Sequence, residues 1–456
     1  MNLITTKSEN LCGSIRLPGD KSISHRAALF AALAQGESQI TNFLVAGVTN
    51  PLLYALTSLG IAWKLNNNTL VVQGRGFSGW NAPAEVIDCG NSGTTLRLLT
   101  GALAAVGVRA TLDGSPGLRR RPMNRIIEPL KKMGVNIIGD DGHAPLKLEP
   151  AGTAIRGVDY HLPVASAQVK TCLLLAALNA EGQTTLREPG PSRDHTERLL
   201  QSLGVTLTNH PPRASAANGT PKRSQSQERQ YITMLTPQHP PHLPAFNLQI
   251  PGDISSAAFI IVAALITPGS DVVIEDIGLN PTRTGLLDAL TRMGADIDIQ
   301  KQGERMGEPY GIVQVRYSKL SGINVGGELV VRMIDEFPAF SIAAVYAGGT
   351  TIVSGAEELR VKESDRIAAM CKELQTLGVP VVEKPDGFVI PGNIIPEGGR
   401  VSAHGDHRLA MALAVAGLQA SRPVYVSGAE MILESFPTFT EALQSTGANL
   451  TSEHGI

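Results

Sequence analysis

Four cysteines in 456 residues (Cys12, Cys89, Cys172 and Cys371) are too few and too scattered for a disulfide framework, and no CxxC pair offers a zinc site. Excess charge is missing as well. Lys and Arg total 39 against 41 Asp and Glu, a formal net charge of −2, which argues against a general nucleic-acid or membrane binder. Long apolar runs are absent: the longest stretch, Ala257–Pro268, has the length of a buried helix and cannot span a bilayer. The start MNLITTKSEN shows no basic-then-apolar leader, so a cytoplasmic protein with reduced thiols is expected. None of the ten histidines pairs with Cys or Asp at standard metal-ligand spacing, apart from the loose AHGDH (403–407) and RDHTE (193–197), so neither a metal nor another cofactor is expected. GRGFSG (74–79) matches GxGxxG but runs on without a helix, GDKS lacks the phosphate-loop spacing before it, and no GxSxG elbow occurs.

What the chain does have is repetition. An apolar helix running into a strand recurs at 31–40, 103–112, 176–186, 263–274, 343–352 and 415–426, usually across a Gly. A second phrase, a helix stopped at Gly before another strand, recurs as ALTSLGIAW (55–63), PLKKMGVNI (129–137), LLQSLGVTL (199–207), ALTRMGADI (289–297), ELQTLGVPV (373–381) and ALQSTGANL (442–450). Glycine suits that stop because it readily takes the left-handed conformation just past a helix end. Strict alternation makes six copies of one unit, read as strand, helix, strand, helix, strand. The first helix of each unit is apolar on nearly every face, as in SAAFIIVAALI, and so is expected inside the protein.

The near-copies LPGDKS (17–22) and IPGDIS (250–255) divide the chain into similar halves. The expected domains are 19–251, and 1–18 combined with 252–456. The segment 208–244, rich in Pro, Ser, Asn and Gln, reads as strands joined by long exposed loops.

Chemistry-bearing residues gather where the buried helices begin: Asp20, Lys21, Ser22, His25 and Arg26; Asn91, Ser92, Gly93, Thr94 and Arg97; Ser166, Ala167, Gln168 and Lys170; Asp253, Ser255 and Ser256; Asp335 and Glu336; Asp406, His407 and Arg408. Helix N-termini attract anions, and Ser or Asp there also serves as a cap. Lys21, Arg26, Arg97, Lys170 and Arg408 are electrostatically misplaced at positive helix ends unless an anion compensates. Further cations lie at Arg119, Arg120 and Arg121 after DGSPG with no acid beside them, at Arg193, and at Arg360, Lys362 and Arg366, the last two read at helical i,i+4 spacing with Glu363 between.

The strings LPGDKSISHR, GNSGTTLR, RRRPM, SAQVK, RDHTE, IDEFP, ELRVKESDR and GDHRLAMA, in that order along essentially the whole chain, resemble the 5-enolpyruvylshikimate-3-phosphate synthase family, in its class II spelling. The resemblance implies an α/β fold of two similar domains, each of three βαβαββ units with buried parallel helices, an inverse α/β barrel-like arrangement. It implies phosphoenolpyruvate and shikimate 3-phosphate as substrates, an enolpyruvyl ether and phosphate as products, a tetrahedral ketal intermediate in an interdomain cleft, and a cytoplasmic monomer of a family that is the target of glyphosate. The first domain would bind shikimate 3-phosphate, and the second would carry the acid–base and phosphoenolpyruvate-binding residues. About five to six negative charges would meet, which fixed cations must offset.

Residue by residue, the resemblance implies that Lys21 contacts both substrates. Ser22 and Arg26 would hold the shikimate carboxylate side, and Ser166, Ala167, Gln168, Ser192 and Arg193 would surround its phosphate, with Asp335 and Lys362 also at this substrate. Gly93, Arg121, Gln168, Arg366 and Arg408 would bind phosphoenolpyruvate, with Leu98 beside Gly93 in a loop tied to glyphosate tolerance. Asp335 would take the hydroxyl proton, Glu363 would serve the methylene carbon, and Lys362 would assist. Three positions depart from the common pattern: Ala167 replaces a second serine, His195 a tyrosine, and Glu434 a lysine before Phe-Pro. Two alternatives stand beside this reading. One is the sister transferase acting on UDP-N-acetylglucosamine, whose loop cysteine DGSPGLRRRPM lacks; the other is a non-catalytic phosphometabolite-binding protein.

Overall fold

A computed structural model describes residues 1–150, 152, 154–212 and 230–453. Among the described residues six four-stranded sheets form, three from one continuous βαβαββ run and three with one strand drawn from a distant stretch. The middle repeat of the first half shows the run whole. Strand Ile87–Asp88 leads through helix Gly93–Val106 to the parallel strand Ala110–Asp113, then through helix Asn124–Lys132 to the hairpin Asn136–Asp140 and His143–Glu149. The repeat as read from sequence lacked the last strand. It alternates buried and exposed positions like its hairpin partner, so nothing but the pairing separates the two.

The glycine stops hold in all six copies. Gly60, Gly134, Gly204, Gly294, Gly378 and Gly447 all have φ between +80° and +102°, where a Cβ would be strained. The six core helices are α1 (Lys21–Leu33), α2 (Gly93–Val106), α3 (Ala167–Ala177), α4 (Ile254–Ile266), α5 (Phe337–Tyr346) and α6 (His407–Ala416). Every residue of α4 and α6 is buried, and every residue of α1 except Lys21. Being apolar all round, such helices are stable only when sheets and sister helices cover them on every side.

The chain forms two compact units. The inserted unit is Lys21–Ile250 with Arg305–Glu308; the terminal unit is Met1–Asp20, Pro251–Glu304 and Pro309–Ile456. Residues 305–308, the tip of the hairpin Asp296–Arg305 and Glu308–Arg316, thus group apart from their sequence neighbours. In the inserted unit α1, α2 and α3 pack together in one apolar core, and in the terminal unit α4, α5 and α6 pack in another.

Strands drawn from distant stretches knit each unit, one in the inserted unit and two in the terminal unit. Cys12–Arg16 pairs parallel with Asp271–Gly278, and Asn247–Gln249 pairs parallel with Gln35–Thr41, so each half's first sheet takes its edge strand from a distant stretch. Asn2–Thr5 lies between Val424–Ser427 and Leu450–Glu453, completing the last sheet. In the segment 208–244, Thr206–His210 and Tyr231–Thr236 form an antiparallel pair, and residues 213–229 lie outside the described ones.

Candidate active site

In the terminal unit, three of the expected carboxylates converge on one guanidinium. Arg366 opens the helix Arg366–Thr376, which Asp365 caps by accepting from the Ala368 N–H at 3.0 Å. Residues 362–365 precede this helix, so Lys362 and Arg366 do not share a helical face; the cap, not the i,i+4 spacing, organises them. The buried Arg366 side chain donates from Nη1 to Asp335 Oδ1 (3.1 Å), from Nη2 to Glu363 Oε2 (2.7 Å) and from Nε to Asp406 Oδ2 (2.8 Å). Arg408 Nη2 lies 3.6 Å from the other Asp335 oxygen. Burial works against the Arg366 charge, but Asp406, Glu363 and Asp335 more than offset it and hold the guanidinium firmly protonated. Asp406 is fully buried and also caps α6 through the Arg408 N–H at 2.9 Å; burial would raise its pKa, yet Arg366 holds it below the ordinary carboxylate range.

In the inserted unit the second group surrounds the start of α2. Gly93 opens that helix, and a Cβ built on it would meet Arg121 Nη1 at 2.5 Å and Arg97 Nη1 at 3.5 Å. The missing side chain is what lets two guanidiniums approach. Arg97 donates to Gln168 Oε1 and to the Pro122 carbonyl (3.2 Å), while Gln168 donates to Thr94 Oγ1 at 2.8 Å, which fixes the Gln168 amide between α2 and α3. Leu98 belongs to the core face of α2 and is fully buried, not part of a loop.

Lys21 and Ser22 begin α1, where Lys21 is its one residue not fully covered. Arg26 is buried and donates to Thr196 Oγ1 (2.8 Å), Thr171 Oγ1 (2.7 Å) and the Ser22 carbonyl (2.9 Å). His25 has Nδ1 2.8 Å from the Lys21 carbonyl and Nε2 3.0 Å from the Val48 carbonyl. Burial pushes its pKa down to about 4, so it is neutral near pH 7.

Ser166 caps α3 with a long 3.5 Å bond from the Val169 N–H, and Ala167 and Gln168 follow on the first turn. Ser192 is buried, and among the described residues its hydroxyl has no hydrogen-bond partner. Arg193 is half-buried on the same loop.

Some cations singled out by position have other partners. Lys170 is not left for a ligand: its ammonium sits 2.7 Å from both Glu188 and Glu197 carboxylates and 3.4 Å from the Ser192 carbonyl. Burial would lower the Lys170 pKa, but the two carboxylates overcome it and keep the group charged. Arg119 pairs with Asp113, six residues back, so that arginine run does have an acid beside it. His195 is buried, with Nδ1 2.7 Å from Glu308 Oε1 inside the inserted unit, and His404 lies 2.6 Å from Glu373 Oε1. Among the described residues no group of three or more His, Cys, Asp or Glu is arranged to hold a metal ion. Ser92, Ser166, Asp253 and Asp406 all act as helix caps, the plainer of the two readings of their positions.

Sequence reasoning missed Arg283. It lies in a turn (NPTRTG) away from any core helix start, and neither spacing nor charge marks it. Its buried guanidinium joins Asp20, Asp253 and Ser255 at 2.9, 3.1 and 2.6 Å.

The family model for EPSP synthase (3-phosphoshikimate 1-carboxyvinyltransferase) matches residues 5–443. The 3-phosphoshikimate 1-carboxyvinyltransferase of Acidithiobacillus ferrooxidans is 45% identical over 438 residues, covering 96% of each chain. That of Coxiella burnetii is 44% identical over 457 residues, covering 100% of this chain and 99% of its own. The solved EPSP synthase of Acinetobacter baumannii superposes with a TM-score of 0.84 at 39% identity, covering 99% of this chain and 100% of that one. With the model spanning nearly the whole length and the fold agreeing, the chain belongs to the EPSP synthase family.

Proposed function

We propose that this chain transfers the enolpyruvyl group of phosphoenolpyruvate to the 5-hydroxyl of shikimate 3-phosphate and releases phosphate, as part of the shikimate pathway. The single observation that carries the reading is the gathering of Asp335, Glu363 and Arg408 around Arg366: two carboxylates able to move protons, held by two guanidiniums able to bind an anion. The family and its named relatives favour this reading over a UDP-sugar transferase or a non-catalytic binder.

Shikimate 3-phosphate would lie on residues of the inserted unit. Ser22 and Arg26 would meet its carboxylate side, Ser166, Gln168, Ser192 and Arg193 its phosphate with the Ala167 backbone, and Lys21 both substrates. Arg121 beside Gly93, together with Arg366, Arg408 and Gln168, would bind phosphoenolpyruvate. The Gly93 geometry and the tethered Gln168 amide support these roles. A carboxylate bound by two guanidiniums is a poor base. The phosphate and carboxylate of phosphoenolpyruvate would compete for Arg366 and Arg408 and release Asp335 toward the hydroxyl.

The 5-oxygen then attacks C2 while its proton passes to Asp335, and Glu363 delivers a proton to C3, leaving a tetrahedral ketal. Loss of phosphate from C2, which carries away the proton held by Asp335, and return of a C3 proton to Glu363 restore the double bond in the product and both groups to their starting state. Lys362 would assist next to Glu363, and fixed cations would stabilise the charge that builds on the departing phosphate. The work of a single cytoplasmic chain fits this scheme, and no described helix is long and apolar enough to cross a membrane.

Release of inorganic phosphate from the two substrates together, and from neither alone, tests the reaction. In Asp335→Ala, kcat should fall about 100-fold or more while both KM values stay close to those of the unaltered protein. Unchanged turnover would remove Asp335 from its role.

A further inference from the structure

Arg283 is among the largest side chains fully shut away from solvent, and the mechanism above gives it no task. Burying a guanidinium is costly unless carboxylates and hydrogen bonds compensate, and compensation here is drawn from three distant stretches. Nη1 donates to Asp20 Oδ2 at 2.9 Å; Nη2 reaches Asp253 Oδ1 at 3.1 Å and the Ser255 hydroxyl at 2.6 Å. Ser255 passes the connection on by donating to Glu336 Oε1.

The places these partners occupy matter. Asp20 is the last residue before the chain leaves the terminal unit, and Asp253 lies just after it returns at Pro251; the bridge Gly19–Gly252 joins the same two segments. Glu336 directly follows Asp335 and stands at the N-terminus of α5, where no side chain caps the helix. Its other carboxylate oxygen is buried with no hydrogen-bond partner among the described residues, so the Ser255 hydroxyl is what orients this group.

We infer that Arg283 is a positioning residue that aims Asp335 through Ser255 and Glu336 and fixes Asp20 immediately before Lys21. The inference rests on the reaction proposed above. Asp335 is thereby held by its own carboxylate on Arg366 and Arg408 and, through its neighbour Glu336 and Ser255, on Arg283. If phosphoenolpyruvate takes Arg366 and Arg408, the hold through Glu336 still keeps the base directed at the hydroxyl. A small loss of aim at a reacting centre is expensive in rate and cheap in affinity.

Ser255→Ala tests this with every charge left in place. The thermal midpoint should fall by a few degrees as the buried Glu336 loses its partner, both KM values should stay within about twofold, and kcat should fall about tenfold, with Ser255→Thr restoring most of both. Arg283→Lys keeps the charge but loses the fork, and its kcat should fall about 100-fold; if that variant does not fold, Ser255→Ala decides alone. Folded Ser255→Ala with unchanged kcat, or with raised KM and unchanged kcat, overturns the inference. Absence of phosphate release by the unaltered protein would instead defeat the reaction reading, so the two failures are told apart.

Discussion

Lys170 and Arg408 break the same electrostatic rule at the start of a core helix, yet the fold uses them differently. Arg408 stands 3.6 Å from Asp335, whereas Lys170 is neutralised from within by Glu188 and Glu197. Replacing Lys170 with Met would strand two buried carboxylates, and stability should fall by about 3–5 kcal/mol, read from the urea midpoint. Gly93 makes the opposite kind of prediction. In Gly93→Ala the new methyl meets the mobile end of Arg121, not backbone, so stability should change by less than about 1 kcal/mol. Displacing that guanidinium should raise KM for phosphoenolpyruvate about tenfold in steady-state assays. The position of Gly93 was legible from GNSGTTLR. The carboxylates on Lys170 were not, because Glu188 and Glu197 come 18 and 27 residues later, at the end of a strand and on a helix that only tertiary folding brings back.

At the scale of elements, legibility was high wherever one residue type had one physical role. The six glycine stops all take the left-handed conformation, and the helices predicted to be apolar on every face are buried on every face. Legibility failed at hairpin strands such as His143–Glu149, whose alternation matches that of its partner, and at 362–366, where charge spacing suggested a helix that starts only at Arg366. The tightest point among the core helices is Gly101 of α2, where a Cβ would run into the Cys172 backbone of α3. Backbone cannot move aside as a side-chain tip can. Gly101→Ala should therefore lower stability by about 1–3 kcal/mol, visible as a lower denaturant midpoint with an unchanged m-value.

Stability across pH belongs to the whole molecule, and buried groups set its sign. The folded pKa of His25, about 4, lies below its ordinary 6.5, so its contribution is present above pH 6.5 and is lost as pH falls toward 4. Asp406, also depressed, acts in the same direction below the ordinary carboxylate value of 3.8. Glu197, raised chiefly by burial, opposes them: its contribution is present below 4.5 and is lost as pH rises through its folded value. Between pH 7.5 and 5, His25 alone should remove about 2 kcal/mol. Urea midpoints measured at both pH values in His25→Gln should show that part of the slope gone.

The repeats, the buried helices and their stops, and the basic character of the helix starts were settled by sequence alone, because each rests on local periodicity or on the conformational freedom of one residue. Tertiary structure alone decided which cations pair internally, that Arg366 gathers Asp335, Glu363 and Asp406, and that Arg283 ties Asp20 to Asp253 and Ser255. Ion pairs and strand exchanges join residues tens to hundreds of positions apart. Their geometry exists only once burial has removed the water that would otherwise solvate each charge separately.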